Sequence, residues 1–340
     1  GFDKLSNDFM KMEIDEIECD YNHLFERHKK EHQKLYMRTD INLFDKNEKE
    51  QNMTNEELLD EAYYDKASPQ MIEKLWRFGK YLFISGTRIG ALPFSQYGLW
   101  NGEYEPGWAQ YVANENIQML YWHIISGNLI ELMIPLIKFY CSNIDEYREF
   151  GCKGIFVSVY STPVNRQPNP VVPVIINCIS VAGWLCQHFY KYYKMTGDTD
   201  MLEKYIYPFM YEAAEFYLDY VTYDVFGKMQ IIPSVSPENS PRNFIEDKNS
   251  EFELGHPMPT VKNATMDLAI IKELLTNLID IKKSANIKND EDAYDIKRWT
   301  EALKSMPEYI KSEDGGIKEW NCEELEDNYL GCIIDKSTID

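Results

Sequence analysis

Apolar residues recur at helical spacing along most of this chain, and strand-like alternation is scarce. Between Asp15 and Tyr36, Ile17, Tyr21, Leu24, Phe25 and His28 punctuate a polar segment and predict a surface helix. Asp40 to Asn52 is charged and carries no period. Thr54-Asn55-Glu56-Glu57 is a capping box, in which the hydroxyl and the later carboxylate each serve the other's backbone N–H. It predicts a helix through Leu58, Leu59 and Tyr63. Ser68-Pro69 opens another, through Ile72, Leu75, Trp76, Phe78, Tyr81 and Leu82. Proline suits a first turn because its missing N–H has no helical partner there.

Ser85 to Ala113 then reads as a long loop with five glycines, two tryptophans and little charge. Loops of that length are functional or disordered as a rule, and this composition favours function. Helices are predicted at Asn114 to His123 and Leu129 to Tyr140, followed by a Pro-rich loop from Gly151 to Pro173. Ile175 to Met195 is apolar nearly all round and should be buried. Gly197 stops it, and Asp198 or Thr199 caps the next helix, through Tyr205, Phe209, Ala213, Phe216 and Tyr220. A short β-like run, Lys228 to Ile232, precedes helices at Met266 to Lys282 and Glu291 to Leu303 and a mixed tail ending at Asp340.

Paired helices with aromatic-rich loops at alternate ends predict a mainly α fold, an α/α toroid-like helical barrel, incomplete at its C-terminal end. A parallel α/β sheet lacks the strand–helix alternation it needs. The expected organisation is a helical lead-in over residues 1–50 and a partial toroid over 51–340.

With 340 residues, 44% of them hydrophobic, the chain can bury a sizeable core as one large domain or two ordinary ones. A formal net charge of -21 argues against nucleic-acid backbone or an anionic membrane as partner and fits neutral ligands. No apolar run reaches membrane-spanning length. The first residues, Gly1-Phe2-Asp3-Lys4, show no basic-then-apolar signal pattern and no initiator Met, so a processed or excised segment is expected. The seven cysteines form no CxxC, and Cys178 and Cys186 read as core thiols, which leaves a secreted and a cytoplasmic location both open.

Ser236-Pro237-Glu238-Asn239 places a carboxylate in a loop between a stiffening proline and an asparagine. A carboxylate so aimed is a candidate catalytic group. Asn114-Glu115-Asn116 stands at a helix entry. Asn114 as N-cap with Asn116 in the first turn would satisfy both amides. Alternatively, the two amides orient a water or a sugar hydroxyl near an acid. Glu115 reads as a first-turn acid favoured by the helix dipole. Tyr and Trp number 24 and 7, and their flat faces suit carbohydrate as well as cores, so Trp100 and Trp108 are candidate sugar platforms. Asn239 and His256, near the acid segment, are further candidates for contacting substrate, whereas Glu251 and Glu253 read as surface acids.

His28-Lys29-Lys30-Glu31-His32 has the H-x-x-E-H spacing of inverted zinc peptidases, but its polarity is that of a solvated helix. His123 and His188, on apolar helices, read as core histidines. There is no P-loop, no G-x-G-x-x-G opening a helix and no G-x-S-x-G elbow, so nucleotide, dinucleotide and serine-hydrolase chemistry fall away. Neither metal nor cofactor is expected.

The order of motifs resembles the catalytic domain of glycoside hydrolase family 95, the α-L-fucosidases. The resemblance runs through Arg77 to Leu82, Leu92-Pro93 to Gly98-Leu99-Trp100-Asn101, and Asn114-Glu115-Asn116 with Met119 and Tyr121-Trp122. It continues through Gly183-Trp184-Leu185 with His188, Thr196-Gly197-Asp198, Ser236-Pro237-Glu238-Asn239, Thr265-Met266-Asp267 and Glu319-Trp320. It implies an (α/α)6 toroid, flanking β domains in the same protein, and inverting exo-hydrolysis of an oligosaccharide or glycoconjugate. Glu238 would be the general acid, and Asn114 and Asn116 would position the attacking water. The family's basic carboxylate lies downstream of Asp340, beyond a His/Arg-rich stretch. Val112 stands where many members carry histidine, and Val157 to Gln167 replaces a His/Asp-bearing motif. Both departures bear on which sugar is bound. Without the base, the other reading of the chain is a non-catalytic carbohydrate-binding helical domain.

Overall fold

The computed structural model describes residues 11–12, 17, 20–43, 52–64, 66–104, 107–108, 110–148, 151–165, 176–236, 239–244, 260–285 and 292–327. Among these the chain is mainly helical, the class its pattern predicts, and strand is confined to two two-stranded ladders. It divides into two units, residues 1–88 with 124–129, and residues 89–123 with 130–340.

The first unit holds α1 (Tyr21–Tyr36), α2 (Asn55–Tyr64) and α3 (Pro69–Gly86), with α3 packed on both others. α1 begins at Tyr21 rather than Asp15, because the Asp20 carboxylate accepts the His23 N–H and caps the helix there. The capping box before α2 forms as its sequence demands. Thr54 Oγ1 accepts from Glu57 N at 3.2 Å, and Glu57 Oε2 accepts from Thr54 N at 2.7 Å. Ser68 caps α3 through the Met71 N–H. The chain after α1 is pinned to α3 by cations: Arg77 meets Asp40 through two 2.8 Å bonds, and the Lys80 ammonium donates to the Tyr36 and Thr39 carbonyls.

The second unit is built on helical hairpins. α6 (Val181–Thr196) turns at Gly197, whose φ of 67° lies in the left-handed region that glycine adopts without strain. Asp198 caps the return through the Met201 N–H, and a π turn, Leu202–Ile206, leads into α7 (Tyr207–Tyr220). Pro208 in the first turn of α7 has no N–H for the carbonyl four residues back. α8 (Thr265–Ser284) packs on both α6 and α7, and α9 (Asp292–Ser305) packs on α8. Phe189, Phe209, Phe216, Ile271 and Trp299 are fully or almost fully buried here. Each large apolar side chain so buried contributes roughly 1.5–3 kcal/mol.

Several expected boundaries shift for tertiary reasons. α6 starts at Val181 rather than Ile175, because the Ser180 hydroxyl is spent on Asp267 in α8 and the chain before it turns. The helix expected at Leu129 to Tyr140 is a 3-10 turn, Ile130–Met133, followed by α5 (Ile134–Cys141), with Pro135 in its first turn. The two long loops are not wholly irregular. β1 (Tyr111–Val112) and β2 (Tyr160–Ser161) pair antiparallel, Tyr111 opposite Ser161 and Val112 opposite Tyr160. The β-like run at 228–232 forms β4 (Met229–Gln230), paired with β3 (Thr222–Tyr223). No helix among the described residues is long and apolar enough to cross a membrane.

Candidate active site

The long first loop is anchored by two buried tyrosines. Tyr121, in α4 (Asn116–Tyr121), accepts the Phe94 N–H at its Oη, at 2.8 Å. Tyr111 Oη donates to the Pro93 carbonyl at 3.1 Å, and burial pushes the Tyr111 phenol up to about 12. Beyond β1, the turn that carries Asn114 is clamped from both sides. Ala113 N donates to Val159 O at 2.8 Å, and the buried Gln118 amide donates to Ala113 O at 2.6 Å.

Asn114 is not an N-cap. The cap position of α4 falls on Glu115, which makes no side-chain capping bond, and Asn116 is the first helical residue. The clamp on Ala113 sets the turn one residue later than local capping chemistry would. Asn114 Oδ1 is therefore buried without a hydrogen-bond partner among the described residues.

Asn114 and Asn116 line a cleft of about 460 Å³ together with Gln96, Tyr97, Trp108 and Tyr160. Val112 and Glu115 complete its wall. Gln96 Oε1 is a second buried oxygen without a partner among the described residues. Two residues that line the cleft thus each carry a buried amide oxygen unpaired among the described residues, whereas a buried polar atom is normally paired. Trp108, 48% exposed, and Tyr97, 37% exposed, present ring surface to the same space. Sequence reasoning missed Gln96, Tyr97 and Tyr160. Tyr160 reaches the cleft only through the β1–β2 pairing, which leaves no local signature in the sequence.

The other candidates separate. Trp100 is half-exposed, stacked close to Gly98, and does not line the cleft. Asn239 Nδ2 donates to Glu319 Oε1 at 3.0 Å. Glu238, His256, Glu251 and Glu253 lie outside the described residues. The described segment before Glu238 is well held. Ser234, buried, donates to Asp267 Oδ2 at 2.5 Å and accepts from Ala264 N at 2.8 Å. Asp267 is itself buried, and burial raises its carboxyl to about 6 against the opposing bonds from Ser180 and Ser234.

The His28 and His32 rings lie 5.8 Å apart, but Glu31 is bound to Lys34, and His32 packs against Tyr36 and Tyr81. No cluster of three or more metal-binding side chains occurs among the described residues. His188 is a core residue, and burial lowers its imidazole to about 4.

The sequence pattern of the Glycosyl hydrolase family 95 catalytic domain matches residues 20–329. The chain belongs to glycosyl hydrolase family 95. Alpha-L-fucosidase 2 of Arabidopsis thaliana is 29% identical over 318 residues, 90% of this chain and 36% of that protein. "Probable alpha-fucosidase A" of Aspergillus niger is 25% identical over 232 residues, 65% of this chain and 29% of that protein. The chain thus spans about a third of the length of these curated relatives. In this family 95 chain, a partnerless amide oxygen among the described residues falls in the motif at Asn114, and a tightly held amide falls in the motif at Asn239.

Proposed function

We propose that the protein carrying this chain is an inverting, exo-acting glycoside hydrolase that resembles the α-L-fucosidases. Glu238 is the general acid, and Asn114 and Asn116 hold the attacking water in the cleft. The observation that carries this reading is the amide oxygen of Asn114, a residue lining the cleft, buried with no hydrogen-bond partner among the described residues. An amide oxygen so placed accepts an O–H of water and leaves the water's lone pair free to attack C1 of the sugar. As the glycosidic C1–O bond breaks, its electron pair leaves with the oxygen, which takes the proton of Glu238. The water gives its proton to a basic carboxylate that we assign to no residue of this sequence. Inverting sites keep acid and base roughly 6.5–9.5 Å apart to admit that water. Trp108 and Tyr97 offer the apolar face of a sugar a stacking surface, and Gln96 an acceptor for a hydroxyl. The substrate is a neutral oligosaccharide or glycoconjugate, in keeping with the chain's negative charge.

Hydrolysis by the full protein against a panel of fucosides and galactosides, with Glu238→Gln alongside, tests this. Loss of at least about 10²-fold is expected for the variant on natural linkages. Unchanged hydrolysis would remove Glu238 from the mechanism. Saturable sugar binding without hydrolysis by the wild type would leave a carbohydrate-binding domain instead.

A further inference from the structure

A second carboxylate is built against the acid loop. Glu319 is fixed through its backbone: its carbonyl accepts Thr265 N at 2.9 Å, and its N–H donates to Asp327 Oδ1 at 3.1 Å. The next residue, Trp320, is buried. One oxygen of the Glu319 side chain, Oε1, accepts from both the Ser236 hydroxyl and Asn239 Nδ2. Asn239 N also donates to Ser236 O at 3.1 Å. The two residues that bracket Pro237 and Glu238 in sequence are therefore bonded to each other through the backbone and to a single carboxylate through their side chains. Ser236 is buried, so its hydroxyl has little water to fall back on. Bonds to an ionised acceptor are about twice as strong as neutral ones. A loop that merely crosses the surface has no use for such a clamp, whereas an acid that must meet one oxygen does. A misplacement of about 1 Å in a reacting group can cost about 10²-fold in rate.

We propose that Glu319 is a positioning residue of the reaction: its carboxylate holds the segment Ser236 to Asn239 so that Glu238 delivers its proton to the leaving oxygen. This rests on the general-acid reading of Glu238 given above. In this role Glu319 is not itself a catalytic group. It acts through Ser236 and Asn239.

The test exploits the leaving group. A sugar or alkyl aglycone needs a proton to depart, while a 2,4-dinitrophenyl aglycone leaves as a stable phenolate without one. In the full protein, Glu319→Ala should lower kcat on a sugar-linked fucoside about 10²-fold, with KM little changed and the dinitrophenyl fucoside within about threefold of wild type. Glu319→Gln keeps an oxygen for both donors and should retain most activity on both substrates. Should Glu319→Ala fail to fold, Ser236→Ala decides, with the same leaving-group dependence expected at smaller size. Equal losses on the two substrates, or full activity of the variant, would overturn the proposal. Glu238→Gln is measured in parallel. If it shows no loss on the sugar-linked substrate, the reading of Glu238 fails. If it does and Glu319→Ala shows no leaving-group dependence, only the role of Glu319 fails.

Discussion

The Ser234 hydroxyl donates to the Asp267 carboxylate at 2.5 Å, tying the segment before the acid loop to the first turn of α8. Ser180 donates to the other carboxylate oxygen from the residue before α6. Burial raises Asp267 from 3.8 to about 6, so the folded protein binds a proton there that the unfolded chain has lost. Its contribution to stability is full below pH 3.8 and disappears as the pH rises through about 6. Denaturant titrations from pH 4 to 7 should show the wild type losing stability relative to Asp267→Asn over that interval. Asp267→Ala strands two buried serine hydroxyls and should cost about 2–4 kcal/mol at any of these pH values.

His188 titrates in the same range with the opposite sign. Burial lowers its imidazole from 6.5 to about 4, so the folded state resists a proton that the unfolded chain accepts. Stability from this group is present above pH 6.5 and is lost as the pH falls through about 4. Replacing it with a neutral residue, as in His188→Gln, should make the protein less sensitive to acid between those values. Asp267→Asn should make it more sensitive. A pair of stability-against-pH curves tilting the same way would contradict this account.

Gly183 permits a close approach of α6 to α7 and α8. Its N–H donates to Tyr217 Oη at 3.1 Å, and that hydroxyl donates onward to Ile179 O at 2.8 Å. A Cβ at this position would lie 2.4 Å from Ile270 Cγ2 and 2.8 Å from Tyr217 Oη. Gly183→Ala should therefore destabilise by about 1–3 kcal/mol, despite alanine's better helix propensity. A thermal melt unchanged from wild type would show that α6 can move away from α7 and α8 at little cost.

Asn114 should show the reverse balance between stability and activity. Its buried oxygen has no partner among the described residues, so Asn114→Ala removes a desolvated acceptor and breaks no hydrogen bond to that oxygen among them. Stability should stay within about 0.5 kcal/mol of wild type or rise by about 1 kcal/mol. Glycoside hydrolysis should fall by at least about 10-fold, read as kcat, because the attacking water loses an anchor. A melting temperature that drops with the activity would place Asn114 in the fold rather than in the reaction.

What the sequence determined by itself was local. The Thr54–Glu57 box, the Ser68 cap, the turn at Gly197 and the Asp198 cap lie where they were read, because each links groups two to four residues apart. The helical class follows from periodicity for the same reason, and the family motifs were legible as short strings. What tertiary structure alone decided depends on groups far apart in sequence. The Ala113–Val159 bond and the β1–β2 ladder set the turn of Asn114, deny it the capping role and bring Tyr160 to the cleft. Ser180, Ser234 and Asp267 converge from three segments, and Glu319 reaches Ser236 and Asn239 across 83 and 80 residues. Such contacts impose no period and no neighbouring signal. A serine that caps a helix and a serine that clamps a distant carboxylate are the same letter until the chain has folded.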